Sequence, residues 1–209
     1  MRTGIVLAGG EATRLPNKPL LPLVSGKPAI TSSIDLCLRS GAKTTVVVVP
    51  PQSVIPMVLK SHGYDNLIYA LQRVPVGVVN AIRLGIEAVS GVDRFIVSFC
   101  DNVFPDDEVV PDLAADAYAS IREQPGAQAI HLDRFLAGIW VDRKNPHLEA
   151  QCLAGWYVLP RRWPMEATST LSSVEFLNTM KAQGVVMPKD GWYDIGTVDS
   201  YYAYWKANS

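Results

Sequence analysis

Short apolar, β-branched runs alternate along the first half of the chain with longer stretches whose apolar residues recur at helical spacing. Gly4–Ala8 reads as a buried strand and Ile30–Arg39 as a helix ended by Ser40-Gly41. Thr44–Val49 is almost purely β-branched and stops at Pro50-Pro51. Val54–Ser61 predicts a short helix, Leu67–Leu71 a strand and Val76–Val89 a second long helix. Phe95–Phe99 predicts a further buried strand that runs straight into Cys100-Asp101-Asn102. Continuous apolar strands of this kind suit a parallel sheet covered on both faces. The order β-α-β-α-β-α-β implies right-handed crossovers and an open α/β sheet.

The second half is less regular. Asp107–Ile121 has a helical pattern, and Ala127–His131, Leu136–Val141 and Cys152–Leu159 read as strands. Val174–Gln183 predicts a helix, Gly184–Met187 an extended segment and Val198–Trp205 a closing helix. With no internal repeat or Ser/Gly linker, residues 1–209 read as one domain with a mixed-sheet second half.

Composition narrows the function classes. A formal charge of −1 argues against broad binding along a nucleic-acid backbone, which needs a clustered basic excess. Any phosphates the protein meets should be few and in a pocket. No apolar run approaches the ~20 residues that span a bilayer, and the amino terminus lacks a signal-peptide pattern. Cys37, Cys100 and Cys152 are scattered in no zinc spacing, which suits buried free thiols in a reducing compartment. A cytoplasmic location is the expectation.

Ligands of open α/β sheets sit outside the carboxyl ends of the strands, which singles out two loops. The first, Leu7–Pro22, carries Leu7-Ala8-Gly9-Gly10, then Arg14 and Lys18. Paired glycines let the backbone aim N–H groups at a phosphate chain. Arg14 can fork onto phosphate oxygens and Lys18 adds a point charge. The same residues also describe a Gly-Gly turn with two solvated cations. In the second loop Asp101 ends a buried strand, where a carboxylate can hold Mg²⁺; an Asp-Asn turn is the alternative. Asp194, within Trp192-Tyr193-Asp194-Ile195-Gly196-Thr197, reads either as a ligand or as a capping aspartate. His62, His131 and His147 have no metal-type spacing. Four of the tryptophans (156, 163, 192 and 205) read as core or pocket wall.

Taken in order, the loop Leu7–Pro22, the pair Asp101-Asn102 and the stretch 192–197 resemble the sugar-1-phosphate nucleotidyltransferases. The branch most similar is that of glucose-1-phosphate thymidylyl- and uridylyltransferases. Tyr69–Ala81 is similar to that family's base-reading segment, with Gln72 and Gly77 at the family spacing. Ala154-Gly155-Trp156-Tyr157 resembles the Gly-x-Tyr strand beside the sugar. The resemblance spans nearly the whole chain. It implies a three-layer α/β/α fold with a mostly parallel mixed sheet, Rossmann-like and similar to the GT-A arrangement. It also implies that a sugar 1-phosphate attacks a nucleoside triphosphate to give a nucleotide sugar and pyrophosphate.

Carried over residue by residue, Asp101 and Asp194 would hold Mg²⁺, and Arg14 with Lys18 would stabilise the reacting phosphates. Leu7, Ala8, Gly9, Gly10, Gln72 and Gly77 would bind the nucleotide, a pyrimidine in this branch. Lys144, Gly155 and Tyr157 would bind the sugar phosphate. Partners are then the two substrates, with neither nucleic acid nor membrane; homo-oligomers are common in such a family. The carboxyl-terminal extension of longer members is not evident, so no allosteric nucleotide site of that kind is expected.

The chain departs from the pattern at four places. Arg14 and Lys18 stand closer together than in the hexose-phosphate branch, more as in cytidylyl- or molybdopterin-type relatives. Glu11-Ala12 alters the loop, with Glu11 expected to face solvent. Cys100 stands where glycine commonly precedes the metal aspartate, as a snug and unreactive residue beside Asp101. The Glu-Lys-Pro motif that grips the sugar phosphate is not intact, and Lys144 or Arg143 could replace it. A cytidylyltransferase acting on a non-sugar phosphate such as phosphocholine is the enzyme alternative. A non-catalytic nucleotide-sugar binder is the other.

Overall fold

The computed structural model describes residues 2–10, 14–122, 134–136, 139–141, 151–168, 170–188 and 190–209, with the backbone alone for 134–136 and 139–141. Four parallel strands come first: β1 (Arg2–Leu7), β2 (Ala42–Val49), β3 (Leu67–Leu71) and β4 (Arg94–Phe99). They are joined by α1 (Ile30–Arg39), α2 (Ile55–Ser61) and α3 (Val78–Glu87), each within a few residues of its expected bounds. A short pair-forming strand β5 (Asn102–Val103) follows, then β6 (Tyr118–Arg122), β7 (Arg134–Leu136), β8 (Ile139–Val141) and β9 (Gln151–Pro160). The chain closes with α4 (Arg162–Glu166), α5 (Ser173–Thr179), β10 (Gln183–Val186), β11 (Tyr193–Asp194) and α6 (Val198–Asn208).

The main sheet runs β10-β6-β9-β4-β1-β2-β3, with β7 and β8 extending from β9. β9 is antiparallel to both β4 and β6 and makes the sheet mixed. Successive side chains of a strand point to opposite faces, and here both faces are apolar. Ile5, Leu7, Val46, Val48, Phe95 and Val97 pack with α3 and α5 on one side. Val6, Ala8, Val47, Val49 and Ile96 pack with α1 and α2 on the other. That double burial is why the strands read as unbroken apolar runs. It also makes the architecture α/β/α, as the sequence led us to expect.

Three expectations about local structure are corrected. Leu136–Val141 is not one strand but the two arms β7 and β8, paired antiparallel. The predicted helix Val174–Gln183 stops early; Met180 caps it and Gln183 already begins β10. The third correction concerns Asp107–Ile121, which is a loop followed by β6, and not a helix. Pro111 can supply no helical N–H. The loop's carbonyls are instead taken by three guanidinium groups: Arg2 on Val110 and Pro111, Arg39 on Pro105 and Glu108, Arg94 on Leu113 and Ala115. Tyr118–Arg122 then enters the sheet fully buried, a tertiary demand that overrides the helical pattern. The expected strand Ala127–His131 lies outside the described residues.

Among the described residues no helix is long and apolar enough to cross a membrane. The three cysteines are buried free thiols. His62 is exposed, with its ring against the Val58 carbonyl; His131 and His147 lie outside the described residues.

One buried ion pair anchors this second half. Arg122 and Glu108 meet with both side chains almost wholly buried. Arg122 also donates to the Pro188 carbonyl, and the Trp156 indole donates to Glu108 Oε1 at 3.0 Å. Burial pulls the guanidinium down from its ordinary value and Glu108 counteracts it. Removing one member of such a pair typically costs ~3–5 kcal/mol, because the other charge is left buried alone. The exposed Arg162–Asp116 pair contributes little by comparison. Glu108→Leu is expected to destabilise by about 3–5 kcal/mol in urea unfolding and Asp116→Ala by under about 1 kcal/mol. Equal effects would show that the buried pair does not anchor the loop.

Candidate active site

The carboxyl ends of β1, β2, β3 and β4 open together onto one cleft of about 670 Å³. Its walls include Leu7, Ala8, Gly9 and Gly10 after β1, Pro50–Ser53 after β2, Gln72 after β3, and Phe99–Asp101 at the end of β4. Sheet hydrogen bonding continues to this edge. Ala8 N–H donates to Val48 O and Gln72 N–H to Val49 O, both at 2.8 Å, and Cys100 N–H donates to Leu7 O at 3.3 Å. Ser33 of α1 donates its hydroxyl to Phe99 O at 2.6 Å, fixing the end of β4 from below. The floor of the cleft is therefore rigid.

Gly9 lies directly over the side chain of Gln72. A Cβ there would stand 2.2 Å from Gln72 Oε1 and 3.0 Å from its Cβ, so a larger residue would have to displace the Gln72 amide. Gly77 begins α3, whose amino end has no side-chain cap. Gly77 and Val78 line the cleft, and the uncapped amino end of a helix is a place where an anion can satisfy the first N–H groups.

Asp101 and Asp194 come together although 93 residues separate them, because β5 pairs antiparallel with β11 and places Asn102 opposite Asp194. Ile195 N–H donates to Asp101 O at 2.8 Å, closing the same corner. One oxygen of each carboxylate lies beside Gly196: a Cβ built there would be 2.8 Å from Asp194 Oδ1 and 3.3 Å from Asp101 Oδ2. Lys18, on a 3₁₀ turn spanning Lys18–Leu20, forms an ion pair with Asp101 Oδ2. Burial pulls the Lys18 ammonium down, but Asp101, with lesser help from Asp194, outweighs it and holds the group above its ordinary value. Burial, and then the Asp101 charge, push the Asp194 carboxyl up. The Gly196 N–H, Lys18 and Arg14 oppose that rise. Arg14 itself is exposed, outside the cleft lining but close enough to act on Asp194.

The donor set fits a hard cation. Two carboxylates converge, their oxygens are the ligand type Mg²⁺ prefers, and that ion fills its remaining positions with water and substrate phosphates. Among the described residues no group of three or more His, Cys, Asp or Glu side chains gathers to hold an ion. Two carboxylates supply part of such a shell, and waters or a phosphate chain complete it.

The structure thus brings Leu7, Ala8, Gly9, Gly10, Lys18, Gln72, Gly77 and Asp101 to one cleft, with Asp194 beside Asp101. It does not bring Tyr157 there. That side chain is 0% exposed and packs edge-on behind Phe99, with ring centroids 5.3 Å apart. Gly155 likewise lies on β9 over Asn102, away from the cleft lining. Lys144, Arg143 and Glu11 fall outside the described residues. Cys100 is buried, and burial followed by Asp101 pushes its thiol up, as befits an unreactive residue. Sequence reasoning missed the wall Pro50–Ile55. Its signal was available, since Pro50-Pro51 ends a parallel strand at the same edge as Leu7 and Phe99.

A family model described as the MobA-like NTP transferase domain matches residues 4–150. The bifunctional protein GlmU of Clostridioides difficile is 28% identical over 52% of this chain and 24% of its own length. A glucose-1-phosphate thymidylyltransferase of Mycolicibacterium smegmatis is 32% identical over 48% of this chain and 38% of its own. The match thus covers well under half of these curated relatives. The solved structure of the inositol-1-phosphate CTP transferase from T. maritima superposes with a TM-score of 0.77 at 16% identity, covering 98% of this chain and 94% of that one. At that identity it establishes the shared fold.

A carboxyl raised on folding favours the folded state at acid pH, and that favour is lost as pH climbs through the raised folded value. With metal chelated, Asp194→Asn, whose amide oxygen can still accept from Gly196 N–H, is expected to melt above the parent at neutral pH. The gain should be ~2–4 °C, corresponding to about 1 kcal/mol, and should shrink towards pH 4. Melting curves across that range check it; a gain that ignores pH, or a loss at neutral pH, contradicts the electrostatic picture.

Proposed function

Since the chain belongs to the MobA-like NTP transferase family, we propose that it joins a sugar 1-phosphate to a nucleoside triphosphate, with a single domain over residues 1–209 holding both substrates. The observation that carries this reading is the meeting of the glycine loop, Lys18 and the Asp101–Asp194 pair at one sheet edge. An oxygen of the sugar phosphate attacks the α-phosphorus. The bond from that phosphorus to the bridging oxygen breaks, and pyrophosphate leaves with the electron pair. Such displacements depend on positioning and on charge stabilisation more than on a protein nucleophile.

Each residue then has a definite task. Gly9 and Gly10 bring backbone N–H groups against the triphosphate, and the amino end of α3 at Gly77 offers further donors. Gln72, held under Gly9, reads the edge of the base, together with the backbone of Leu7 and Ala8. Lys18 and Arg14 neutralise the departing pyrophosphate. Asp101 and Asp194 would hold Mg²⁺, which when bound would supply positive charge to the reacting phosphates. Lys144, with Arg143 as the substitute, grips the acceptor phosphate. Gly155 and Tyr157 enter as backing for the acceptor side through Asn102 and Phe99.

UTP or dTTP is the nucleotide of this proposal. The compact Arg14–Lys18 spacing favours a second reading, cytidylyl transfer to a non-sugar phosphate such as phosphocholine. Pyrophosphate release with Mg²⁺, measured across UTP, dTTP, CTP, GTP and ATP with several phosphorylated acceptors, separates the two. Release with a pyrimidine triphosphate and a sugar 1-phosphate is expected; release only with CTP and phosphocholine favours the second reading. No release from any pair, in folded protein that still binds nucleotide, contradicts catalysis. Asp101→Asn is expected to lower turnover by at least ~10²-fold while leaving cooperative unfolding intact, and unchanged turnover would place the metal elsewhere.

A further inference from the structure

Resting on the reading of Asp101 as a metal ligand, we infer that Asn102 is a positioning residue that fixes the rotation of the Asp101 carboxylate, and that the Trp192 indole and Gly155 set Asn102 for this task. The Asn102 side chain is 2% exposed, so its amide must find partners inside the protein. Trp192 Nε1 lies 3.0 Å from Asn102 Oδ1. An indole nitrogen can only donate, so the amide's orientation is chemically determined: the oxygen faces Trp192 and the NH₂ faces the other way. That NH₂ donates to Asp101 Oδ1 at 3.2 Å. One carboxylate oxygen is thereby engaged, and Oδ2 is left turned to the point where Lys18 now sits and Asp194 also faces.

Two further elements are shaped around this amide. Gly155 has φ +83° within an irregularity of the β6–β9 pairing, and a Cβ there would come within 2.2 Å of Asn102 Oδ1. The bulge in the sheet is therefore where Asn102 is admitted. Trp192 in turn lies beneath the Arg122 guanidinium, 5.3 Å from its ring centroid, and Arg122 is held by Glu108. A continuous buried series thus runs from Trp156 through Glu108, Arg122, Trp192 and Asn102 to the carboxylate that faces the cleft. A carboxylate held by a neutral donor keeps its charge for the cation, and fixing its rotation removes an entropic cost of ligation.

The test measures Mn²⁺ binding to the full chain by the resonance signal of the free ion, and the Mg²⁺ dependence of turnover beside it. Asn102→Ala is expected to weaken Mn²⁺ binding roughly tenfold to a hundredfold. Trp192→Phe, which keeps a ring but loses the donor, should weaken it in the same direction by less. In both variants turnover at saturating Mg²⁺ should return towards the parent value, because the carboxylates themselves remain. If Asn102→Ala fails to fold, Trp192→Phe decides. Parent-like Mn²⁺ affinity in the folded variants, while Asp101→Asn loses the ion, would overturn the positioning role alone. Parent-like Mn²⁺ affinity in Asp101→Asn would overturn the metal reading itself.

Discussion

Asp101 and Asp194 are driven into one partly buried corner by the short pairing of β5 with β11, and like charges so placed repel. Much of the surrounding structure answers that repulsion. Lys18 lies against Asp101, the Gly196 N–H caps Asp194, and Asn102 donates to Oδ1 of Asp101. None of these contacts brings more than one compensating charge to two carboxylates. The divalent cation and phosphate chain of the proposed reaction would add to the charge that Lys18 and Arg14 already bring to this corner.

Holding such a corner requires a stiff frame. The parallel ladder supplies it on one side, with hydrogen bonds that continue past the strand ends into Ala8, Gln72 and Cys100. The Arg122–Glu108 pair and its two indoles supply it on the other. Helix α6 closes the remaining side, since Tyr201 donates to Pro22 O at 2.6 Å and the Tyr204 hydroxyl accepts from Val24 N–H at 3.2 Å. The loop bearing Lys18 is thus tied down by the far end of the chain.

The first half of the fold was legible because its physics is local. Val46–Val49 and Phe95–Val97 are buried on both faces, and such strands announce themselves as apolar runs. The switch points of a parallel sheet then pointed to Gly9 and Asp101 without further information. Residues 107–121 were misread because their conformation is imposed from afar, by guanidinium groups of Arg2, Arg39 and Arg94 on loop carbonyls. Pairing between Asp101 and Asp194 was suggested by family resemblance alone; spacing along the chain carries no trace of a two-residue bridge. Nor could Tyr157 be separated from a sugar wall by pattern, since a tyrosine within a strand can face a ligand or a core equally well.

The proposed reaction depends on a cation held between Asp101 and Asp194 against a triphosphate in the cleft. The most direct measurement is a crystal soaked with Mn²⁺ and a non-cleavable nucleoside triphosphate, read by anomalous scattering. The expected result is a peak between the two carboxylates, Lys18 moved from Asp101 onto phosphate, and the triphosphate along Gly9–Gly10. Nucleotide bound in the cleft with the ion elsewhere, and Lys18 still on Asp101, would contradict it.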